Sequence, residues 1–227
     1  MIVVTYIYQD FEDGTSSTYQ FRESCKLNGL PLHNVAPGNT HVGNGEVLRL
    51  LGRFYASLPP DELVIYSDGA DSLFLARPEI HPYHILYSTE QGIWPPREAA
   101  PALAVKWDAH PKRSPWCYLN GGGYCGPAGL LAEFFQRYLM SHPADANGQW
   151  QQAEAYFQAC LDGFPIELDQ QCETFQTIGF SSPDRDFRIL PGVIINNYTN
   201  TTPAVIHGNG RTSMQWVYDC LAQAVNA

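Results

Sequence analysis

The sequence predicts a three-layer α/β/α sandwich built on a mostly parallel sheet. Short apolar, β-branched runs alternate with longer segments of helical periodicity. The 227-residue chain, 44% hydrophobic, is also long enough to bury the core of one large domain, read here as residues 1–227.

The opening run IVVTYIY, residues 2–8, is continuous and apolar, as a strand covered on both faces of a parallel sheet should be. A polar segment follows. Residues 43–58, GNGEVLRLLGRFYASL, then space Val47, Leu48, Leu51, Phe54 and Tyr55 as one face of a helix. PPDE breaks that helix before a second strand, LVIY at 63–66, and a third strand, HILYS, lies at 84–88. Beyond the Pro-rich stretch IWPPREAAPAL, the segment CYLNGGGYCG leads into a helix at 127–140, with Pro127 suited to its first turn. Further helices are expected at 149–161 and 213–225, with a last strand, PAVIHG, at 203–208. In sheets of this kind ligands bind beyond the carboxyl ends of the strands, so the residues that follow each strand matter most.

A formal net charge of −10, from 13 Lys and Arg against 23 Asp and Glu, opposes a broad embrace of DNA or RNA. An acidic protein that holds an anionic diphosphate needs positive charge concentrated locally, and a divalent cation supplies it where Lys is scarce. The N-terminus has no basic region followed by an apolar run, and no eighteen apolar residues stand together. A soluble, cytoplasmic protein without a membrane span is expected. Cys25, Cys117, Cys125, Cys160, Cys172 and Cys220 lack paired CxxC spacing and read mostly as buried free thiols. The sequons at Asn197 and Asn200 read as loop residues.

Asp68 and Asp71, in LVIYSDGADSLFLA, follow directly on a buried strand, and Gly69 allows a sharp turn between them. Two carboxylates so placed suit a hard divalent cation that completes its shell with phosphate oxygens, although a solvated Asx turn uses the same residues. His207, in AVIHGNG, also follows an apolar strand and offers an imidazole as third ligand; the alternative is a hydrogen-bonded histidine at a strand end. The backbone amides of Gly208, Asn209 and Gly210 suit an anion-binding turn. Asn120, Gly121, Gly122 and Gly123 form a glycine run that either lets a ligand approach closely or makes a tight strand-to-helix turn. Asp169 and Gln170 offer a carboxylate and an amide to a hydroxyl, or simply start a helix. Trp94 offers an apolar surface to a sugar, or packs within its loop.

In this order, VVTYIY, GNGEVLRLL, ELVIYSDGADSLFL, ILYSTEQGIWPP, LNGGGYCG, LDQQ and PAVIHGNG resemble the glycosyltransferase domain of the procollagen lysyl hydroxylase family, a GT-A fold. The resemblance spans most of the chain. It implies metal-dependent transfer of a hexose from a UDP-sugar to the hydroxyl of a protein or glycan acceptor. It places Asp68, Asp71 and His207 around Mn²⁺, Thr5 near the uracil, Asn120, Gly121 and Gly122 beside the donor sugar, and Asp169 at the catalytic step. Where relatives carry a Lys after the His-Gly-Asn-Gly turn, this chain has Arg211, the expected partner of the diphosphate. No segment here matches the hydroxylase domain, so hydroxylation is not expected. Two other readings use the same residues: a non-catalytic nucleotide-sugar or glycan-binding module, and a metal-dependent phosphohydrolase. The second places its aspartates after the first strand and needs a downstream Lys, whereas this chain has the pair after a later strand and only three Lys.

Overall fold

The computed structural model describes residues 1–8, 17–38, 40–210 and 212–225. The chain opens with strand β1 (Ile2–Thr5), helix α1 (Ser17–Leu27), β2 (Leu32–Asn34) and helix α2 (Asn44–Ala56). Strands β3 (Leu63–Ser67), β4 (Ser72–Phe74) and β5 (Ile85–Glu90) precede helix α3 (Pro101–Ala109) and the long strand β6 (Tyr118–Pro127). Helix α4 (Ala128–Phe134) runs into a π-helical turn at Phe135–Leu139 and is followed by α5 (Gly148–Leu161), β7 (Ile166–Leu168) and β8 (Phe175–Thr177). The chain then forms α6 (Pro183–Asp186), β9 (Phe187–Leu190), β10 (Val193–Asn196), β11 (Val205–His207) and α7 (Gln215–Val225).

Six strands form the main sheet in the order β2-β1-β3-β6-β5-β7. Five run in one direction, and β6 opposes both of its neighbours. This is the mostly parallel sheet that the alternation of segments predicts. Both of its faces are covered, and the period-2 alternation of each strand divides the core. Val4, Val64, Tyr66 and Tyr124 face Leu48 and Leu51 of α2 and Leu131 and Phe134 of α4. Val3, Ile65 and Cys125 point the other way, toward Phe21 and Cys25 of α1 and Phe74, Phe175 and Val205 of a second sheet, β4-β11-β8. The second outer layer is therefore part helix and part sheet. All six cysteines are free thiols, with Cys160 exposed and the others buried.

Helix α1 and strand β6 differ from the sequence expectation, and α3, β9 and β10 form in segments with no predicted element. Helix α1 occupies part of what reads as a polar segment, because it buries only the narrow stripe of Thr18, Phe21, Ser24 and Cys25. The glycine run lies inside β6 rather than in a turn, and Pro127 closes that strand at φ −65 and ψ 139 instead of opening the helix. Glycine suits that strand interior because neighbours crowd it: a Cβ on Gly123 would sit 2.9 Å from the Phe175 ring.

Candidate functional site

Strand β3 delivers Asp68 to the carboxyl edge of the main sheet, where its N–H donates to the Gly122 carbonyl at 2.9 Å. Asp71 lies just before β4, which pairs antiparallel with β11 so that Ser72 stands opposite His207. The Gly208 N–H closes the turn onto the Asp71 carbonyl at 2.7 Å. Strand pairing thus brings residues far apart in sequence together. His207 Nε2 lies 3.2 Å from Asp71 Oδ1 and 3.8 Å from Asp68 Oδ2. The three potential donor atoms all lie within 4.8 Å of one another.

The imidazole tautomer follows from its neighbours. Asn120 Oδ1 accepts the Gly122 N–H at 3.0 Å, which identifies that atom as an acceptor, and it also lies 3.1 Å from His207 Nδ1. Nδ1 therefore carries a hydrogen, and Nε2 faces the two carboxylates, where it shares a proton with them and where, once that proton is displaced, its lone pair is aimed as a metal-ligating histidine requires. On the other side, the Tyr66 hydroxyl donates to Asp68 Oδ1 at 2.8 Å, leaving Oδ2 on the His207 side. Gly122 is enclosed between them. A Cβ there would lie 2.2 Å from His207 Cε1 and 2.7 Å from Asp68 Oδ2.

The electrostatics show a cluster short of positive charge. Burial disfavours a charged imidazole at His207, yet Asp71, joined by Asp68 and Glu90, outweighs it and raises the group to about 9. Desolvation raises the Asp68 carboxyl, with His207 opposing and Asp71 adding to the rise. Its side chain is 44% open, so water in the cavity moderates that effect. Two carboxylates and a neutral imidazole nitrogen fit a hard divalent cation, which would take the place of the proton held among them.

The cluster borders a cavity of about 470 Å³ that also touches Glu90, Asn120, Gln149, Phe180 and Asn209. An adjoining cavity of about 400 Å³ shares Asp68, Trp94, Gly122 and Gln149 and extends to Asn44 and Gln152. Among the described residues lining either cavity there is no Lys or Arg. Glu90, at the end of β5, is only 3% exposed. Its Oε2 accepts from Asn209 Nδ2 at 2.6 Å and its Oε1 from Gln149 Nε2. Burial pushes its carboxyl up to about 7 against these hydrogen bonds and the His207 charge.

Against this geometry stand the comparisons with known proteins. The PLOD GT domain family profile matches residues 8–222. The chain belongs to the PLOD GT domain family. The chain is 24% identical over 217 residues to an uncharacterized protein of Acanthamoeba polyphaga mimivirus, covering 86% of this chain and 44% of that protein. It is 26% identical over 203 residues to procollagen-lysine,2-oxoglutarate 5-dioxygenase 1 of Homo sapiens, covering 82% of this chain and 26% of the relative. The Rattus norvegicus counterpart is 25% identical over 205 residues, with the same coverage. The chain thus spans less than half the length of the curated relatives it matches. A crystal structure of a glycosyltransferase involved in the glycosylation of the major capsid of PBCV-1 superposes with a TM-score of 0.50 at 10% identity, covering 99% of this chain and 98% of that one. That likeness shows the fold, and the family and fold together are those of a glycosyltransferase.

Within this PLOD GT domain, the structure gathers Asp68, Asp71, His207, Asn120, Gly122, Asn209 and Gly210 around one cavity, with Gly121 bordering its neighbour. Gly208 lies beneath the turn, its N–H bound to Asp71. Thr5 is wholly buried and its hydroxyl donates to the Ser67 carbonyl at 2.8 Å, so its side chain faces protein rather than either cavity. Asp169 is likewise turned inward. Its carboxylate accepts backbone N–H groups of Glu173 at 3.1 Å and of Thr174 and Phe175 at 2.8 Å, which makes it the cap of a turn. Gln170 bonds Arg113 N and the Pro111 carbonyl. Arg211 lies outside the described residues. Glu90, Gln149 and Gln152 line the cavities without having stood out in the sequence. Glu90 carried the same signal as Asp68, a carboxylate at the end of an apolar strand. The two glutamines face inward only because α5 docks where it does. Among the described residues, no helix is long and apolar enough to cross a membrane.

Proposed function

We propose that this domain transfers a hexose from a UDP-sugar to an acceptor hydroxyl, with Mn²⁺ held by Asp68, Asp71 and His207. One observation carries the reading: a cavity large enough for a nucleotide sugar is lined by carboxylates and amides, without a described Lys or Arg, around a three-donor cation site. A diphosphate in such surroundings needs a cation. Bound there, Mn²⁺ supplies Lewis-acid neutralisation of the charge that collects on the leaving diphosphate.

The chain's own residues do the rest. Tyr66 and Asn120 hold Asp68 and His207 in ligating orientation, and Asn209 and Gly210, on the turn that the Gly208 N–H closes, present backbone toward the diphosphate, with Arg211 as its cationic partner. Asn120, Gly121 and Gly122 leave room for the donor sugar, and Gln149 and Gln152 offer amides to its hydroxyls. With Thr5 and Asp169 engaged by protein, Thr5 shapes the base pocket through the β1 backbone, and the acid-base role passes to Glu90. In the transfer, the bond from the anomeric carbon to the β-phosphate oxygen breaks with its electron pair leaving on UDP. The acceptor oxygen forms the new bond, and its proton passes to Glu90, whose carboxyl near 7 suits the exchange.

The test is UDP release from a panel of UDP-sugars, with Mn²⁺ added or chelated. Release that needs both the metal and one sugar is expected, and Asp71→Ala should abolish it while the protein stays folded. An Asp71→Ala variant with full activity, or a wild type that neither binds UDP nor releases it, would overturn the proposal.

A further inference from the structure

Two glutamines of helix α5 line the cavity beside Asp68 one helical turn apart, and the fold commits their amides in opposite senses. Gln149 has both amide hydrogens in use: its Nε2 donates to Glu90 Oε1 and, at 3.1 Å, to the Leu119 carbonyl. Its Oε1, an acceptor, is left for a ligand. Gln152 is turned the other way. The wholly buried Tyr87 hydroxyl donates to Gln152 Oε1 at 3.1 Å and has no other acceptor among the described residues. Exchanging the two ends of the amide would strand that buried O–H, so Nε2 is the end left to the cavity. Nε2 has no hydrogen-bond partner among the described residues, although Gln152 is only 6% exposed. Gly121 makes the space for it: a Cβ there would lie 2.5 Å from Nε2.

We infer that Gln152 reads a hydroxyl of the donor sugar, and that Tyr87, which borders neither cavity, is the positioning residue that aims it. A sugar hydroxyl both accepts and donates, and it meets both complements here, the N–H of Gln152 and, one turn away, Oε1 of Gln149. A uronate carboxylate only accepts. It would face Gln149 Oε1 and Asp68 with no described Lys or Arg in the cavity lining to balance it. The substrate class is therefore a UDP-linked neutral hexose, with a hydroxyl turned toward α5. This inference rests on the transferase reading and deepens it.

UDP release is measured with Mn²⁺ and the preferred UDP-hexose, and with its 2-, 3-, 4- and 6-deoxy analogues, for wild type and for Gln152→Leu, which keeps the size of the side chain. On the parent donor Gln152→Leu should lower kcat/KM about 30-fold; on the one analogue that lacks the hydroxyl it reads, the substitution should change kcat/KM about twofold or less. Tyr87→Phe should lower kcat/KM about fivefold on the parent and spare the same analogue. Calorimetric affinity for UDP, which carries no sugar, should stay within about twofold of wild type in both variants. UDP-glucuronate should be turned over at least about a hundredfold less efficiently than the preferred hexose donor. An equal loss on every analogue, an unchanged kcat/KM in either variant, a matching fall in UDP affinity, or preferred use of UDP-glucuronate would overturn the inference, while release by wild type keeps the transferase reading standing. If wild type neither binds UDP nor releases it from any UDP-sugar, both readings fail together.

Discussion

Tyr66→Phe isolates one hydrogen bond of the candidate metal centre. The Tyr66 ring is buried and stacks on Tyr124 with centroids 4.8 Å apart, and phenylalanine keeps that packing. What is lost is the 2.8 Å bond from the hydroxyl to Asp68 Oδ1. A hydrogen bond to a charged group contributes about 1.5–3 kcal/mol, and because 44% of the Asp68 side chain is open, water recovers part of it. A net loss of about 1–1.5 kcal/mol in orienting Asp68 corresponds to about a tenfold weaker Mn²⁺ affinity, at the lower end of what outer-shell partners of metal ligands contribute. Calorimetric titration of metal-free protein with Mn²⁺ reads the affinity, and thermal melting checks the fold, where a shift of no more than about 2–4 °C is expected. An unchanged Mn²⁺ affinity in a folded variant would refute the argument that Tyr66 positions a metal ligand.

Three further outcomes follow from the geometry. Gly122→Ala should leave the protein folded yet sharply weaken Mn²⁺ binding, since its Cβ would fall 2.2 Å from His207 Cε1; a variant binding Mn²⁺ as tightly as wild type would show that the cluster is not the site. Asp169→Ala strips two buried backbone N–H groups and one partly buried one of their acceptor and should cost roughly 3 kcal/mol in denaturant unfolding, whereas a large loss of activity at unchanged stability would return Asp169 to a catalytic role. Glu90 is raised from 4.5 to about 7 by burial, so its stabilising contribution is complete below pH 4.5 and lost as pH rises toward 7. In metal-free protein that loss is about 3 kcal/mol, and Glu90→Gln should flatten the slope across the window; an unaltered pH profile of unfolding would contradict the assignment.

Asp68 and His207 stood out in the sequence because each comes at the end of an apolar run, a local pattern that marks the carboxyl end of a buried strand, and Asp71 because Gly69 allows a turn that brings it back beside Asp68. The first strand, the helix at Asn44–Ala56 and the closing helix were legible for the same reason, since their periodicity is written in neighbouring residues. Helix α1 was not, because a narrow buried stripe in a polar segment gives little periodic contrast.

Other features depend on contacts between distant segments. Only the insertion of β6 against the direction of its neighbours turns the glycine run into the inner wall of the site, with Gly122 between Asp68 and His207. Asp169 and Glu90 each stand at or just past the end of a short apolar run, yet the fold surrounds one with backbone N–H groups and opens the other to the cavity. Gln152 gains its meaning from the buried Tyr87 hydroxyl that turns its amide toward the cavity. Sequence by itself determined the strands and helices whose apolar pattern is strong, and which residues stand at their ends, since those depend on local apolar pattern. Tertiary structure decided which of those ends meet, because hydrogen bonding and burial between residues as far apart as Glu90 and Asn209 have no signature in either segment alone.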